Sequence, residues 1–135
     1  MVEENIMKKI LVVDDEKDFR EILSETLVKE GYEVQTAKDG GEALDRMRDF
    51  APNLVVLDIN MPGKNGFEVC KEIRTDPLYG NIPVVFLTVR AEKKSKIKGM
   101  ELGSDEYITK PFRPKELVLR IKNILGREKS NKVTK

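Results

Sequence analysis

The chain of 135 residues has the length of one domain, and its 39% hydrophobic residues are enough to build a core. Its 25 basic and 24 acidic side chains nearly cancel, so the net charge of +1 indicates neither a nucleic-acid-binding protein nor a polyanion. The absence of histidine excludes a Ser-His-Asp triad, a His-ligated metal site and a phosphohistidine on this chain.

Five short apolar segments are predicted to be strands, and they alternate with helical patterns. Residues 10–13, 54–57 and 84–87 are uninterrupted apolar runs, which is typical of a parallel sheet that helices cover on both faces. Residues 33–37 alternate polar and apolar side chains, and residues 106–109 form the shortest run. We therefore expect these two segments to be edge strands.

Apolar side chains spaced three and four residues apart predict a first helix that includes Phe19 and Leu23, with Gly31 at its end. Strands and helices that alternate with short loops predict an α/β fold with right-handed crossovers. The later helices are predicted over about residues 42–50, 66–74 and 92–102, and from about Pro114 onward.

The predicted elements occupy residues 8–125 and leave a segment at each end. Residues 1–7 are predicted to be an N-terminal extension, and residues 126–135, with four basic side chains and one acidic, a basic tail or linker. This tail is either a natural end or the start of a linker to a DNA-binding domain. Ten residues with five charges do not fold alone, so we expect no nucleic acid to be bound by this chain itself.

The single cysteine, Cys70, excludes an internal disulfide and a four-cysteine zinc site, and it favours a reducing compartment. No segment approaches the roughly 18 apolar residues that cross a membrane. Residues 1–5 are acidic and lack the apolar core of a signal peptide. We therefore expect a cytoplasmic protein without a membrane partner.

Polar residues follow four of the predicted strands. In an open α/β sheet the ligand site lies beyond the carboxyl ends of the strands, so these side chains are expected to converge there. They are Asp14 and Asp15 after the first run, Asp58 and Asn60 after the third, Thr88 after the fourth and Lys110 after the fifth.

Three carboxylates that lie close together repel one another, and a hard divalent cation relieves this repulsion. Mg²⁺ prefers oxygen ligands in octahedral geometry, so Asp14, Asp15 and Asp58 are a predicted Mg²⁺ site. The alternative, in which Asp15 or Asp18 caps the first helix, accounts for one acidic residue but not for the other two.

A carboxylate beside Mg²⁺ and a lysine is an oxygen nucleophile that can take a phosphoryl group as an acyl phosphate. Asp58 begins residues 58–66, where glycines predict a tight turn with a close backbone approach. Lys110 would neutralise charge, and Thr88 would hydrogen-bond a phosphoryl oxygen. Thr88 as a helix cap and Lys110 as a surface ion pair are alternatives that fit each residue only singly.

These motifs together resemble the receiver domain of two-component response regulators, over about residues 8–125. The resemblance implies a flavodoxin-like fold, a doubly wound five-stranded parallel sheet of order 2-1-3-4-5 with five helices. It also implies phosphorylation-activated signalling with a histidine kinase or phosphotransfer protein as partner. The matching motifs are residues 10–16, 56–66, 87–88, 102–107 and 110–112.

The resemblance also implies a role for individual residues. Phosphorylation would switch the face formed by the fourth helix, fifth strand and fifth helix. The chain would be no enzyme, but a phosphoacceptor that assists its own phosphoryl transfer and dephosphorylation. For Tyr107 the alternative is a packing role. The implied roles are Asp58 as phosphoacceptor; Asp14, Asp15, Asp58 and the backbone carbonyl of Asn60 as Mg²⁺ ligands; Thr88 as switch hydroxyl; Tyr107 as the aromatic that turns inward with it; Lys110 as phosphoryl contact; and a cis bond before Pro111.

The two residues after Thr88 are expected to affect access to the phosphoryl group. Val89 follows Thr88 at a position that is usually small in this family, and its β-branched side chain would narrow access to the phosphoryl group. Arg90 is expected near the mouth of the site, where it would alter the rate of attack by water. Both residues bear on the lifetime of the phosphorylated state.

Three other classes of protein share parts of this pattern. A phosphohydrolase with an aspartyl nucleophile has an Asp-x-Asp pair after the first strand and usually a cap, whereas here the nucleophile follows the third strand. A flavodoxin-type binder needs a phosphate-cradling loop where Asp14 and Asp15 would repel the FMN phosphate. The complete set of acidic residues, with Thr88 and Lys110, argues against a degenerate receiver that only binds.

A resemblance to receivers of the winged-helix transcription-factor subfamily predicts a phosphorylation-dependent two-fold dimer, which would use each ion pair twice. Alternatively, Glu116 and Arg120 pair within one helix, since they lie four residues apart. The lysines of the fourth helix also suit an acidic partner. The predicted pairs are Lys96 with Glu116, Glu101 with Lys122, and Asp105 or Glu106 with Arg120.

Overall fold

A computed structural model describes residues 7–89 and 93–133, and of residues 93–96 and 127–133 it describes the backbone alone. Strands and helices alternate along the described chain. The strands are β1 (Lys9–Val13), β2 (Glu33–Ala37), β3 (Leu54–Asp58), β4 (Val84–Thr88) and β5 (Glu106–Thr109). The helices are α1 (Lys17–Lys29), α2 (Gly40–Phe50), α3 (Gly66–Arg74), α4 (Lys93–Glu101) and α5 (Pro114–Val133).

The five strands form one parallel sheet in the order β2-β1-β3-β4-β5. This confirms the predicted doubly wound sheet, with β2 and β5 at its edges. The register places Asp58 beside Leu87 and Thr88 beside Thr109. The carboxyl ends of β3, β4 and β5 therefore lie next to one another at one edge of the sheet.

The central strands are buried on both faces because helices cover the sheet on both sides. On β1, Leu11 and Val13 belong to one core layer and Ile10 and Val12 to the other, and β3 and β4 alternate in the same way. The first layer is completed by α2 and α3, and the second by α1 and α5. The two layers fix the sheet and thus the positions of the residues at its edge.

Side-chain caps explain where two of the helices begin. The side chain of Asp39 accepts a hydrogen bond from the Glu42 backbone, so α2 begins at Gly40, two residues earlier than the sequence predicts. Asn65 and Glu68 form a capping box at the start of α3. The residue before α1 is Glu16, which makes no capping bond, so neither Asp15 nor Asp18 caps that helix.

The helix α5 extends further than the sequence predicts. It continues to Val133, so residues 126–133 prolong the helix and do not form an irregular tail. These residues contain no proline and several good helix formers, and each residue added to an existing helix gains one backbone hydrogen bond.

Some predictions fall on residues that the structure does not describe. Residues 1–6 of the predicted extension, Arg90 and the side chain of Lys96 lie outside the described part of the chain. Within the described part, no helix combines the length and the apolar character needed to cross a bilayer.

Candidate functional site

Three carboxylates meet at the carboxyl edge of the sheet. Asp14 follows β1, where its backbone N–H donates to the carbonyl of Ala37, and Asp58 ends β3. Oxygens of Asp14, Asp15 and Asp58 lie within 4.8 Å of one another. Asp14 is 0% and Asp58 3% exposed, whereas Asp15 is exposed. The structure thus brings the predicted acidic set together as two buried carboxylates with a third at their solvent side.

The ammonium of Lys110 faces this cluster from the end of β5. Its Nζ lies 2.9 Å from Asp14 Oδ2, 3.8 Å from Asp58 Oδ2 and 3.9 Å from Glu16 Oε1. The Lys110 backbone N–H donates to the carbonyl of Thr88, and the Lys110–Pro111 peptide bond is cis. One ammonium therefore faces two buried carboxylates, and the pocket keeps a negative charge.

This charge changes the acidity of Asp58. Burial, together with the negative charge of Asp14, raises the pKa of Asp58 from 3.8 to about 6. The ammonium of Lys110 and the hydrogen bond from the Asn60 backbone act in the opposite direction and do not compensate. A cation bound beside Asp58 would relieve the repulsion from Asp14, which adds to the effect of burial on the pKa of Asp58.

The loop between β3 and α3, residues 59–65, holds Asp58 from its other side. The Asn60 backbone N–H donates to Asp58 Oδ1 at 3.1 Å. Gly66 packs against the same residue: a Cβ atom there would lie 2.5 Å from the Asp58 carbonyl oxygen. Only glycine allows this approach, which accounts for the glycine that the sequence places eight residues after Asp58.

The side chain of Asn60 connects this loop to β4. The Thr88 hydroxyl donates to Asn60 Oδ1 at 3.0 Å, and the Val89 backbone N–H approaches the same oxygen at 3.4 Å. Thr88 is buried and Val89 is exposed. The sequence predicted a role for Asn60 only through its backbone carbonyl. The position of Asn60, two residues after Asp58, was the one feature of the sequence that could have indicated a role for its side chain.

Two further contacts at the site were not predicted. The Lys110 ammonium lies 4.1 Å from the centroid of the Phe19 ring. The guanidinium of Arg20 donates to the Asp14 carbonyl oxygen at 2.8 Å. The sequence placed Phe19 on the apolar face of the first helix, and it does pack against the second core layer. No pattern in the sequence indicates that its ring also meets a lysine.

Tyr107 lies on β5 opposite Phe86 of β4. Because side chains alternate along a strand, Tyr107 and Thr88 project to the same side of the sheet. The Tyr107 ring is partly buried and packs against the first core layer. The structure thus places the two predicted switch residues on one face, two register positions apart.

The charged residues of the predicted dimer face make contacts within the chain. Arg120 pairs with Glu106 at 2.7 Å and with Glu116, four residues away on α5, at 3.2 Å. Lys122 pairs with Glu30 of α1, and Asp105 accepts from the Val84 backbone. The predicted pair of Glu101 with Lys122 would therefore compete with an existing ion pair.

The donor set at the site suits a hard cation. The acidic cluster offers only carboxylate oxygens, and nitrogen or sulfur ligands are absent from it. Oxygen ligands of this type are the ones that Mg²⁺ prefers in proteins. The residues present therefore fit a magnesium ion, and Asp58 beside it would be an oxygen nucleophile.

Comparisons with known proteins agree with this geometry. Residues 10–122 match the family model of the response regulator receiver domain. The structure is similar to chemotaxis protein CheY4 of Vibrio cholerae, at 36% sequence identity and a TM-score of 0.84, with 87% of this chain and 98% of that chain covered.

A second similar protein is the response regulator DrrB of Thermotoga maritima, an OmpR/PhoB homolog. It is 39% identical, with a TM-score of 0.80, and 91% of this chain and 54% of that chain are covered. The BeF3-activated receiver domain of DrrB is 38% identical, with a TM-score of 0.79, and 90% of this chain and 99% of that chain are covered.

These matches confirm the fold and the function that the sequence motifs predicted. Receiver domains are phosphoacceptors that bind Mg²⁺ at an acidic pocket, and they imply a histidine kinase or phosphotransfer protein as partner. The chain belongs to the response regulator receiver family and is a receiver domain of phosphorylation-activated signalling.

Proposed function

We propose that Asp58 is the residue that accepts the phosphoryl group, from the phosphohistidine of a kinase or phosphotransfer protein. The observation that carries this proposal is the position of its carboxylate, which is buried at the end of β3 within 3.8 Å of the Lys110 ammonium. Because its pKa is about 6, Asp58 is mostly ionised at neutral pH and is a competent nucleophile.

In the transfer step an Asp58 carboxylate oxygen forms a bond to phosphorus. The bond from phosphorus to the imidazole nitrogen breaks, and its electron pair stays on that nitrogen. Water later cleaves the acyl phosphate, which returns the Asp58 carboxylate and inorganic phosphate. The chain acts on its own side chain and not on a separate substrate, so we propose that it is a self-modifying phosphoacceptor and no enzyme.

Asp14, Asp15, Asp58 and the backbone carbonyl of Asn60 are the proposed Mg²⁺ ligands. When bound, Mg²⁺ supplies positive charge that offsets the charge of the incoming phosphoryl group. Lys110 supplies the second positive charge, and its ammonium is close enough to Asp58 to bind a phosphoryl oxygen. The exposed residue Val89 follows Thr88 directly. Its side chain would limit the approach of water to the acyl phosphate and so lengthen the lifetime of the phosphorylated state.

We propose Thr88 and Tyr107 as the switch. The Thr88 hydroxyl has one proton to donate, and in this structure it donates a hydrogen bond to Asn60 Oδ1. A phosphoryl oxygen on Asp58 carries more negative charge than an amide oxygen and competes for that proton. Thr88 would then move toward Asp58, and the ring of Tyr107, on the same side of the sheet, would fill the space it leaves.

The surface that responds to phosphorylation is α4, β5 and α5, because Thr88 ends β4, the neighbour of β5, and Lys110 directly follows β5. We propose a phosphorylation-dependent two-fold dimer through this surface, with residues 8–125 as the receiver and residues 126–135 as the link to any output domain. Exposed Met100 on α4 and Leu119 on α5 offer apolar contacts there. We also propose that this chain itself binds no nucleic acid. The proposed location is the cytoplasm, where histidine kinases have access to ATP.

Replacing Asp58 tests the acceptor directly. Incubation with acetyl phosphate and Mg²⁺ should add one phosphoryl mass to the wild type, and Asp58→Asn should not gain it. The exposed Asp45 is a matched control, since Asp45→Asn should gain the mass as the wild type does. Intact-mass spectrometry measures all three proteins. A phosphoryl gain in Asp58→Asn equal to that of the wild type would disprove the assignment.

The raised pKa of Asp58 predicts how stability depends on pH. Its folded-state pKa of about 6 exceeds the unfolded value near 3.8, so ionisation of Asp58 costs the folded protein on the order of 3 kcal/mol once the pH exceeds about 6. Without Mg²⁺, Asp58→Asn should therefore be more stable than the wild type at pH 7.5. The difference should shrink from pH 6 downward and vanish below pH 4.

Urea unfolding in the presence of EDTA, at several pH values between 4 and 7.5, measures this difference. Asp45→Asn again serves as the control, because an exposed carboxylate should show no such pH dependence. A stability difference between Asp58→Asn and the wild type that is constant across these pH values would contradict the burial of an ionised Asp58.

The Asn60 side chain provides a test of the switch. Asn60→Ala removes the Oδ1 atom that accepts a hydrogen bond from the Thr88 hydroxyl, and it keeps the Asn60 backbone carbonyl. In the resting state Thr88 is bonded to Asn60, and in the proposed switched state it has moved toward Asp58. Loss of one hydrogen bond of about 1 kcal/mol should shift the equilibrium between these states about fivefold toward the switched state. In NMR spectra of the unphosphorylated variant, the Tyr107 ring signals should move toward their positions in phosphorylated wild type.

Asn81, an exposed asparagine in the loop before β4, is the control, and Asn81→Ala should leave the Tyr107 signals unchanged. Asn60→Ala should still gain the phosphoryl mass. Tyr107 signals that stay at the unphosphorylated wild-type positions in Asn60→Ala would show that Asn60 does not hold Thr88 in its resting position.

Sedimentation velocity tests the dimer. Phosphorylated wild type should sediment as a dimer, and Leu119→Lys, which places a charge on α5, should remain a monomer after phosphorylation. Ile22→Lys changes an equally apolar, exposed residue on α1 and should dimerise as the wild type does. A phosphorylated wild type that stays monomeric at high concentration would rule out the dimer and leave docking of an acidic partner on α4.

A further inference from the structure

The face of the Phe19 ring lies beside the ammonium of Lys110. Its Nζ is 4.1 Å from the ring centroid, well within the roughly 6 Å over which a cation is attracted to an aromatic face. The Lys110 side chain is only 13% exposed, so little water reaches the ammonium to compete with the ring. Attraction between a cation and an aromatic ring is strongest where both are shielded from water.

The ring is held in place from two elements. Phe19 is on the first turns of α1 and packs against the second core layer. Phe112, two residues after Lys110, meets it edge to face, with ring centroids 5.8 Å apart and planes at 87°. The contact therefore joins α1 to the segment that carries Lys110.

Besides Asp58, two carboxylates attract the same ammonium. Asp14 Oδ2 lies at 2.9 Å inside the pocket, and the exposed carboxylate of Glu16 at 3.9 Å outside it. The Phe19 ring attracts the ammonium without adding another negative charge to the pocket. The ring also occupies space next to the ammonium, and so limits the positions that the ammonium can adopt.

We propose that Phe19 is a positioning residue for phosphoryl transfer: its ring keeps the Lys110 ammonium between Asp14 and Asp58, where it can bind a phosphoryl oxygen. This inference rests on the proposed role of Asp58 as the acceptor. Phe19 acts only through Lys110, so its effect depends on the aromatic face and not on side-chain volume alone.

Three variants separate the aromatic face from packing. Phe19→Leu keeps an apolar side chain and removes the ring, whereas Phe19→Tyr keeps the ring. Phe112→Leu removes the other ring of the pair, which packs on Phe19. With acetyl phosphate and saturating Mg²⁺, Phe19→Leu should be phosphorylated roughly three- to tenfold more slowly than the wild type. Phe19→Tyr should retain most of the rate, and Phe112→Leu should lose much less than Phe19→Leu.

An NMR measurement on the unphosphorylated proteins tests the contact without relying on Asp58. Protons of the Lys110 Cε atom should be shifted upfield by the ring in the wild type and in Phe19→Tyr. The shift should be lost in Phe19→Leu. If Phe19→Leu does not fold, Phe19→Met, with a flexible apolar side chain, takes its place in both experiments.

The outcomes distinguish this inference from the proposal on which it rests. A wild type that gains no phosphoryl group would overturn both, even if the upfield shift is present. A phosphorylated wild type overturns the role of Phe19 alone if Phe19→Leu reacts at the wild-type rate, or if Phe19→Tyr is slowed as much as Phe19→Leu. An absent upfield shift in the wild type would also overturn it.

Discussion

One ammonium faces two buried carboxylates at the edge of the sheet, and the behaviour of the site follows from this imbalance. Lys110 pairs closely with Asp14 and remains 3.8 Å from Asp58, so neither carboxylate is fully neutralised. Burial and the remaining negative charge raise the pKa of Asp58, and the negative charge suits a divalent cation. The burial that costs the folded protein stability is thus the same burial that makes Asp58 responsive to a cation and to a phosphoryl group.

The sheet makes this arrangement possible by joining distant parts of the chain. Asp14 and Lys110 are separated by 96 residues, yet they meet because β1, β3, β4 and β5 end at one edge. The central strands are buried on both faces, so their ends have little freedom to shift. Under the proposed switch, a change of charge at Asp58 would therefore be relieved by the side chains of Thr88 and Lys110, and through them by the surface of α4, β5 and α5.

The backbone of this protein was more predictable than its side-chain contacts. Uninterrupted apolar runs indicated buried parallel strands, and the geometry of such a sheet then predicted that Asp14, Asp58 and Lys110 would meet. The start of α2 was missed because it depends on a single cap by Asp39. Phe19 and the Asn60 side chain each contact a residue on another element, and these contacts depend on the side-chain rotamer. No periodicity in the sequence predicts a rotamer. Arg120 pairs with Glu116, as their spacing on one helix indicated, and with Glu106 of the same chain, a pair that was predicted between two chains.

The two groups proposed to contact the phosphoryl group, Thr88 and Lys110, each have an uncharged partner. Thr88 donates to the amide oxygen of Asn60, and Lys110 lies against the ring of Phe19. A carboxylate in either place would bind its partner more strongly and would add to the negative charge that the phosphoryl group must overcome. Neutral contacts of about 1 kcal/mol would order the resting site and, under the proposed switch, would leave the resting and switched states close in free energy. A phosphoryl group can shift such an equilibrium because it needs to favour the switched state by only a few kcal/mol.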